Sequence, residues 1–320
     1  MEEYYIGVDL GGTKILAGVF DAEHQCLATE KVKTKPEEGY SAVCSRIVRA
    51  VHAASESAGI APAKAKGAGI GAPGAISSDE SLVLFAPNLK WRDAPLKSDI
   101  EAGIGCPVWL GNDCNVAAAG IHRLELEAKP NDMICLFLGT GIGAGIITNG
   151  VFLDGATQAA GEVGHMVLDP SGPLCGCGSK GCFEALASRT AIFKKVKSAV
   201  DDGGELTPML EAGDDSVTRI RSGKIRRAID AGDPLAEQVI SETCFYTGIA
   251  IANLCNLLNP EVVALGGGLV EQLHSVMLPK IRDAALERTM PGARRVRIMA
   301  TTLGDHAGIT GASILAQDHA

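Results

Sequence analysis

The sequence predicts an α/β protein made of two similar halves. Three observations carry this prediction. Apolar strand patterns alternate with helical ones along most of the chain. A strand, Gly/Thr turn, strand pattern at residues 4–20 returns at residues 133–148, with Leu10-Gly11 and Leu138-Gly139 aligned without gaps in the surrounding hydrophobics. A length of 320 residues is enough for about two domains.

Residues 4–20 read as a strand, a tight Gly-Gly turn and a second strand. Asp9 closes the first apolar strand, where an unpaired carboxylate is costly to bury, so it is expected to face a cleft, a cation or a donor. Gly11 and Gly12 let the backbone come close to a ligand, and Thr13 and Lys14 add a hydroxyl and a charge. The turn is either an ordinary β-turn or a phosphate cradle built from N–H groups. A third strand is expected over residues 25–33. Residues 40–58 carry Val43, Ile47, Val48 and Val51 at helical spacing. Residues 65–70 read as a short buried strand running into Gly71-Ala-Pro-Gly74, an exposed turn at a strand end, where α/β proteins commonly contact ligands. Ala86-Pro-Asn-Leu-Lys-Trp91 reads as a loop whose amide, Asn88, is either a turn former or a ligand contact. A strand from Pro107 then runs into a helix with Asn112 or Asp113 at its N-cap. Asp113, at a strand's C-terminal end, is alternatively a general base.

A polar break at residues 129–132 marks a candidate boundary. The Gly/Thr hairpin at residues 133–148 follows it, and two such hairpins facing each other would clamp an extended polyphosphate. Helices are expected over residues 188–200, 224–231 and 233–258. The last is apolar on more than one face, as a central buried helix would be, and Asn259-Pro260 stops it. Residues 261–265 read as a buried strand. Gly266, Gly267 and Gly268 then open the next helix, as a simple tight turn or as a nucleotide seat. A strand over residues 296–300 and a small-residue helix over residues 306–315 close the chain.

Residues 161–184 hold the most specific pattern. His165, Cys175, Cys177 and Cys182 supply one imidazole and three thiolates within a Gly-rich run, a suitable set for a closed tetrahedral structural zinc site. Chance clustering among ten cysteines, or a disulfide with one odd thiol, are the other readings; the glycine density and the matched histidine favour zinc. The other seven cysteines are scattered, mostly in apolar runs. Glu162 and Glu184 bracket the cluster and are not needed as ligands. The metal is therefore expected to fold the loop, and the loop to present the glutamates to a polar small molecule.

A net charge of −9 argues against a nucleic-acid or anionic-membrane surface. No uninterrupted apolar stretch is long enough to span a bilayer, and the start lacks the pattern of a signal peptide. Abundant cysteine points to a reducing compartment, so a cytoplasmic location is expected.

Taken together, Asp9-Leu-Gly-Gly-Thr-Lys14, Gly71-Ala-Pro-Gly74, Gly111-Asn-Asp113, Leu138-Gly-Thr-Gly-Ile-Gly143, Gly161-Glu-Val-Gly-His165, Cys175-Gly-Cys-Gly-Ser-Lys-Gly-Cys-Phe-Glu184 and Gly266-Gly-Gly268 resemble the ROK family of sugar kinases and repressors over essentially the full length. That family lies within the actin/hexokinase/Hsp70 superfamily. The resemblance implies two duplicated actin-like (ribonuclease H-like) α/β domains with an active cleft between them that closes to exclude water. The domains are expected over residues 1–120, completed by a C-terminal helix at about residues 304–320, and over residues 121–303. Asp113 matches the catalytic base, which takes the proton of the sugar hydroxyl that attacks the γ-phosphate of ATP. Asn88, Asn112, Glu162, His165 and Glu184 match sugar-binding positions, His165 giving one nitrogen to the metal and one to the sugar. Asp9 matches a carboxylate that helps hold Mg²⁺ through water. Gly11, Gly12, Thr13 and the adjoining Lys14, with Thr140 and Gly141, match the phosphate turns, and Gly266, Gly267 and Gly268 the adenosine side. Cys114 departs from the alanine common there.

The implied activity is ATP-dependent phosphorylation of a hexose 6-hydroxyl, with glucose favoured over N-acetylmannosamine, N-acetylglucosamine and fructose. A homodimer is implied by the resemblance as well. The rival class is a sugar-responsive repressor, whose winged helix would precede the first strand. Here that strand is expected at about residue 4, and the net charge is wrong for DNA. A sugar sensor without catalysis would need a lost base, and Asp113 is present.

Overall fold

The computed structural model describes residues 3–77, 79, 81–156, 159–203, 207–210 and 220–320. The chain divides into two compact units, one of residues 1–129, 152–160 and 305–320, the other of residues 130–151 and 161–304.

The strands of the first unit are β1 (Tyr4–Leu10), β2 (Lys14–Asp21), β3 (Cys26–Lys33), β4 (Gly67–Ala72), β5 (Ala75–Ile76), β6 (Val83–Ala86), β7 (Trp91–Ala94) and β8 (Val108–Asn112). Five of them form a sheet in the order β3-β2-β1-β4-β8. β1, β2 and β3 are an antiparallel meander, whereas β4 and β8 run parallel to β1. The register sets Asp9 beside Gly71 and Gly71 beside Gly111. The C-terminal ends of the three parallel strands therefore lie level, where α/β sheets gather their ligand contacts.

Helix α1 (Tyr40–Ala58) buries Val43, Ile47 and Val51, the stripe expected from their spacing, against a core that includes Ile6, Val8, Ile70 and Leu110. Full burial of each such side chain contributes about 1.5–3 kcal/mol. The C-terminal helix (His306–His319) lies almost on the backbone of this sheet. A Cβ on Gly7 would sit 1.8 Å from the Ile309 carbonyl oxygen, and one on Gly69 would sit 1.9 Å from that of Ala312. Only glycine permits that approach.

Two elements here escaped the sequence. β5, β6 and β7 form a small antiparallel sheet, and residues 86–91, expected as one loop, are the end of β6, a 3₁₀ turn at Pro87–Leu89 and the start of β7. Strands of two to four residues are too short to display a period of two. Helix α2 (Leu96–Ile104) was not among the expected elements, although Leu96, Ile100 and Ile104 recur every four residues and are buried.

Helix α3 (Asp113–Gly120) runs directly into a π-helical turn at Ile121–Glu125 with Ile121 buried. Residues 121–129 accordingly group with the first unit rather than the second. Residues 152–160 do so too, and Asn115 Nδ2 donates to Asp154 Oδ1 across 3.3 Å.

The second unit repeats the plan with β9 (Met133–Leu138), β10 (Ile142–Thr148), β11 (Val151–Phe152), β12 (Val262–Gly266) and β13 (Arg297–Ala300) in the order β11-β10-β9-β12-β13. β9 pairs antiparallel with β10 and parallel with β12, which is parallel to β13. The two sheets thus share strand order, and β10-β9-β12-β13 share the polarity of β2-β1-β4-β8, the duplication expected from the Gly/Thr hairpins. The gapless alignment of those hairpins ends at the turn, however. Leu10 pairs with Ile15, but Leu138 pairs with Ile142, so the second turn is one residue shorter.

Helices α4 (Phe183–Ala187), α5 (Arg189–Asp201), α6 (Ser222–Asp230), α7 (Pro234–Leu258) and α8 (Gly268–Arg288) complete this unit. α7 starts at Pro234 behind an Asp233 cap that accepts from the Leu235 and Ala236 N–H groups, and it ends at Asn259 with φ 48°. Among the described residues, no helix is long and apolar enough to cross a membrane.

Candidate active site

In the first unit the strand ends bring together Asp9, the turn at residues 11–14, Asn88, Asn112 and Asp113. Thr34, fully buried, pins the turn from behind: its hydroxyl donates to the Gly11 carbonyl at 2.6 Å and its N–H to that of Thr13 at 3.0 Å. A Cβ on Gly12 would lie 3.5 Å from that of Asn88, so the exposed Asn88 rests against the turn. Lys14 is paired with Asp305, which Lys31 also reaches at 3.0 Å.

Between Asn112 and Asp113, the cap is Asn112. Its Oδ1 accepts from the N–H groups of Cys114 at 3.0 Å and Asn115 at 3.2 Å, while its Nδ2 donates to the Gly74 carbonyl at 3.1 Å. That leaves Asp113 as the first helical residue of α3, its Oδ1 accepting from Cys114 N–H at 2.8 Å. An ionised carboxylate is favoured at a helix N-terminus. Gly71 packs beneath the start of α3, where a Cβ would lie 3.3 Å from Val116 Cγ1 and 3.4 Å from the Asp113 Cα.

Asp9 is the strongly perturbed carboxyl at these strand ends. Burial first, and the negative charge of Asp113 second, push its carboxyl up to about 7, against the pull of Lys14. A Cβ on Gly308 would come within 3.0 Å of Asp9 Cγ and Cβ, so the C-terminal helix also fixes the side chain sterically. Two carboxylates near one another in a shielded place are a fitting seat for a divalent cation. Because the folded state raises this pKa, it holds a proton that the unfolded chain releases. The stability contributed by that proton is therefore full below about pH 4 and lost as pH rises through about 7. Without divalent cation, urea unfolding from pH 4.5 to 7.5 is expected to show a fall in stability that Asp9→Asn removes. An equal slope in the two proteins would contradict this.

In the second unit the turn at residues 139–141 meets two other segments. Glu184, second in α4, accepts from Ile142 N–H through Oε2 at 2.8 Å, and a Cβ on Gly141 would strike that oxygen at 2.3 Å. The turn at Gly267, with φ 86°, lies against Leu138: a Cβ there would be 2.6 Å from the Leu138 carbonyl oxygen. Glu162 precedes, and His165 ends, a 3₁₀ turn at Val163–His165 that packs on β10, for a Cβ on Gly164 would lie 2.2 Å from the Ile142 carbonyl oxygen.

The structure gathers His165, Cys175, Cys177 and Cys182, with their ligand atoms all within 4.8 Å of one another. Cys175 Sγ lies 3.7 Å from His165 Nδ1, and Cys177 Sγ lies 3.6 Å from Cys182 Sγ. A tetrahedral zinc with ordinary bond lengths needs edges of roughly 3.6–3.8 Å, so the donor set fits that ion. Nδ1 faces the sulfurs, which leaves Nε2 of the ring on the other side. All ten cysteines are free thiols, against the disulfide alternative.

Sequence reasoning passed over Asp305, Gly308 and Arg189. Asp305 and Gly308 lie just before and inside the C-terminal helix, more than 270 positions from Lys14, Lys31 and Asp9, which they touch, and no local pattern announces that pairing.

The ROK family model matches residues 5–319. The chain belongs to the ROK family. This ROK protein is 38% identical over 318 residues to a glucokinase of Streptomyces coelicolor, covering 98% of the chain and 97% of that protein. It is also similar to the crystal structure of a ROK family glucokinase from Streptomyces griseus in complex with glucose and AMPPNP. The TM-score is 0.86 at 38% identity, over 98% of this chain and 99% of that one. A xylose repressor of Caldicellulosiruptor bescii is 31% identical over 307 residues, 96% of this chain and 76% of the repressor.

Proposed function

We propose that this ROK protein is an ATP-dependent glucose kinase that transfers the γ-phosphate of ATP to the sugar 6-hydroxyl. The observation that carries the reading is the placement of Asp113. It is a carboxylate at a helix N-terminus, two residues past Gly111, which the register sets level with Asp9, in a chain 38% identical to a glucokinase along its length. Phosphoryl transfer needs positioning, neutralisation of phosphate charge and an acceptor for the hydroxyl proton. Asp113 accepts that proton. Asn88, Asn112, Glu162, His165 and Glu184 hold the sugar hydroxyls; the Glu184 oxygen not engaged with Ile142 and the imidazole Nε2 of His165 suit this role. The backbone N–H groups at residues 11–14 and 139–141 take the phosphates, and residues 266–268 the adenosine. Mg²⁺, which neutralises phosphate charge when bound, would be held near Asp9, a buried carboxyl with the Asp113 carboxylate close by. Zn²⁺ on His165, Cys175, Cys177 and Cys182 is structural: four protein ligands leave no open position for chemistry. The family resemblance also supports a homodimer, and ten free cysteines suit the reducing cytoplasm.

A coupled assay of ADP release over a sugar panel tests this. Glucose is expected to give the highest kcat/KM, above fructose, N-acetylglucosamine and N-acetylmannosamine. A preference for an acetamido sugar would reassign the substrate. Sugar binding without ADP release from any panel member would favour a repressor-like sensor over a kinase.

A further inference from the structure

Resting on the kinase reading, we infer that Arg189 binds the nucleotide at its innermost, α-phosphate. Arg189 opens α5, behind a Ser188 cap that accepts from Ala191 N–H. Three hydrogen bonds tie this segment to the turn proposed for phosphate. Arg189 N–H donates to the Gly139 carbonyl at 2.9 Å, Arg189 Nη2 to Thr140 Oγ1 at 2.6 Å, and Thr190 Oγ1 to the Thr140 carbonyl at 2.7 Å. The other end of the guanidinium faces the second turn: Nη1 reaches Ser222 Oγ at 3.4 Å and lies 3.7 Å from where a Cβ on Gly268 would be. The cation therefore sits where the phosphate turn and the adenosine turn meet, and those turns touch directly at Gly267 and Leu138.

That position has a specific consequence. If one turn takes the phosphates and the other the nucleoside, a group between them meets the phosphate next to the ribose. A planar guanidinium is suited to that group, because its N–H fork matches two phosphate oxygens. A cation placed here stands out in a chain of net charge −9. Thr140 orients one edge of the fork, and the α8 N-terminus adds its own positive end to the same place.

The test uses the full chain and isothermal titration with ADP, AMP and adenosine, on the wild type, Arg189→Ala and Arg189→Lys. A lost charged hydrogen-bond pair predicts that Arg189→Ala weakens ADP and AMP by roughly 10–100-fold. Adenosine, which has no phosphate, should bind all three proteins alike. Arg189→Lys should fall between, keeping the charge and losing the fork. Melting temperature and the glucose KM should stay close to wild type in both variants. Equal ADP affinity in wild type and Arg189→Ala would overturn the inference alone, and so would an equal loss for adenosine, which would mean that Arg189 only shapes the turn. A wild type that binds no ADP would overturn the inference together with the kinase reading.

Discussion

Asp113→Asn is expected to lower kcat by about 10²–10⁴-fold, the usual contribution of a general base, while glucose binding changes only modestly. The variant should fold, because the cap of α3 is Asn112, whose bonds to Cys114 and Asn115 do not involve the Asp113 carboxyl. An asparagine keeps the size and can still hydrogen-bond a hydroxyl, but it cannot accept the proton. Removing the charge also relieves Asp9, whose pKa the Asp113 carboxylate helps to raise. The variant's Asp9 should therefore ionise at lower pH, a second effect visible in the unfolding profile. Steady-state rates and glucose titrations on the same preparation separate the two roles, and a near-normal kcat would remove Asp113 from the chemistry.

Zinc removal is expected to have the other large effect. Cys175 and Cys182 are buried, and the loop between the 3₁₀ turn at Val163–His165 and α4 is otherwise held by isolated bridges, Val167 to Cys182 and Leu174 to Lys180, and a few turn hydrogen bonds. Apparent binding energies of structural zinc are about 10–16 kcal/mol in small peptides, far more than such a loop gains from its own contacts. Metal analysis of the purified protein should give about one zinc per chain. Chelation, or Cys177→Ser, should remove it and lower kcat/KM for glucose by at least roughly 10–100-fold, the scale of lost support around a site. The loss should appear mainly as a higher glucose KM, because the loop carries Glu162, His165 and Glu184 rather than the base. A metal-free protein with full activity would contradict the structural role.

Much of the fold could be read from the chain because its signals are local. The Gly/Thr hairpins, the α1 stripe and the Asp233-Pro234 start of α7 each declare themselves within a few residues. The cysteine loop was legible for the same reason, since four donors fall within 18 positions, and the structure brings those four together. What stayed hidden depends on contacts distant in sequence. Asp305 reaches Lys14 and Lys31, and Gly308 lies against Asp9, through a sheet that no single segment predicts. The small β5–β7 sheet was hidden because its strands are too short to show alternation. Lys14 shows how far residue type alone carries an argument: the sequence offers a charge beside a Gly-Gly turn, and only the fold reveals its ion pair with Asp305.

The most direct measurement of the central claim is the site of phosphate on the product. Wild-type protein, ATP, Mg²⁺ and glucose should yield one sugar phosphate, whose ³¹P signal couples to the two hydrogens on carbon 6, and Asp113→Asn should yield almost none in the same time. Phosphate on another hydroxyl, or ADP formed with no sugar phosphate, would contradict the account.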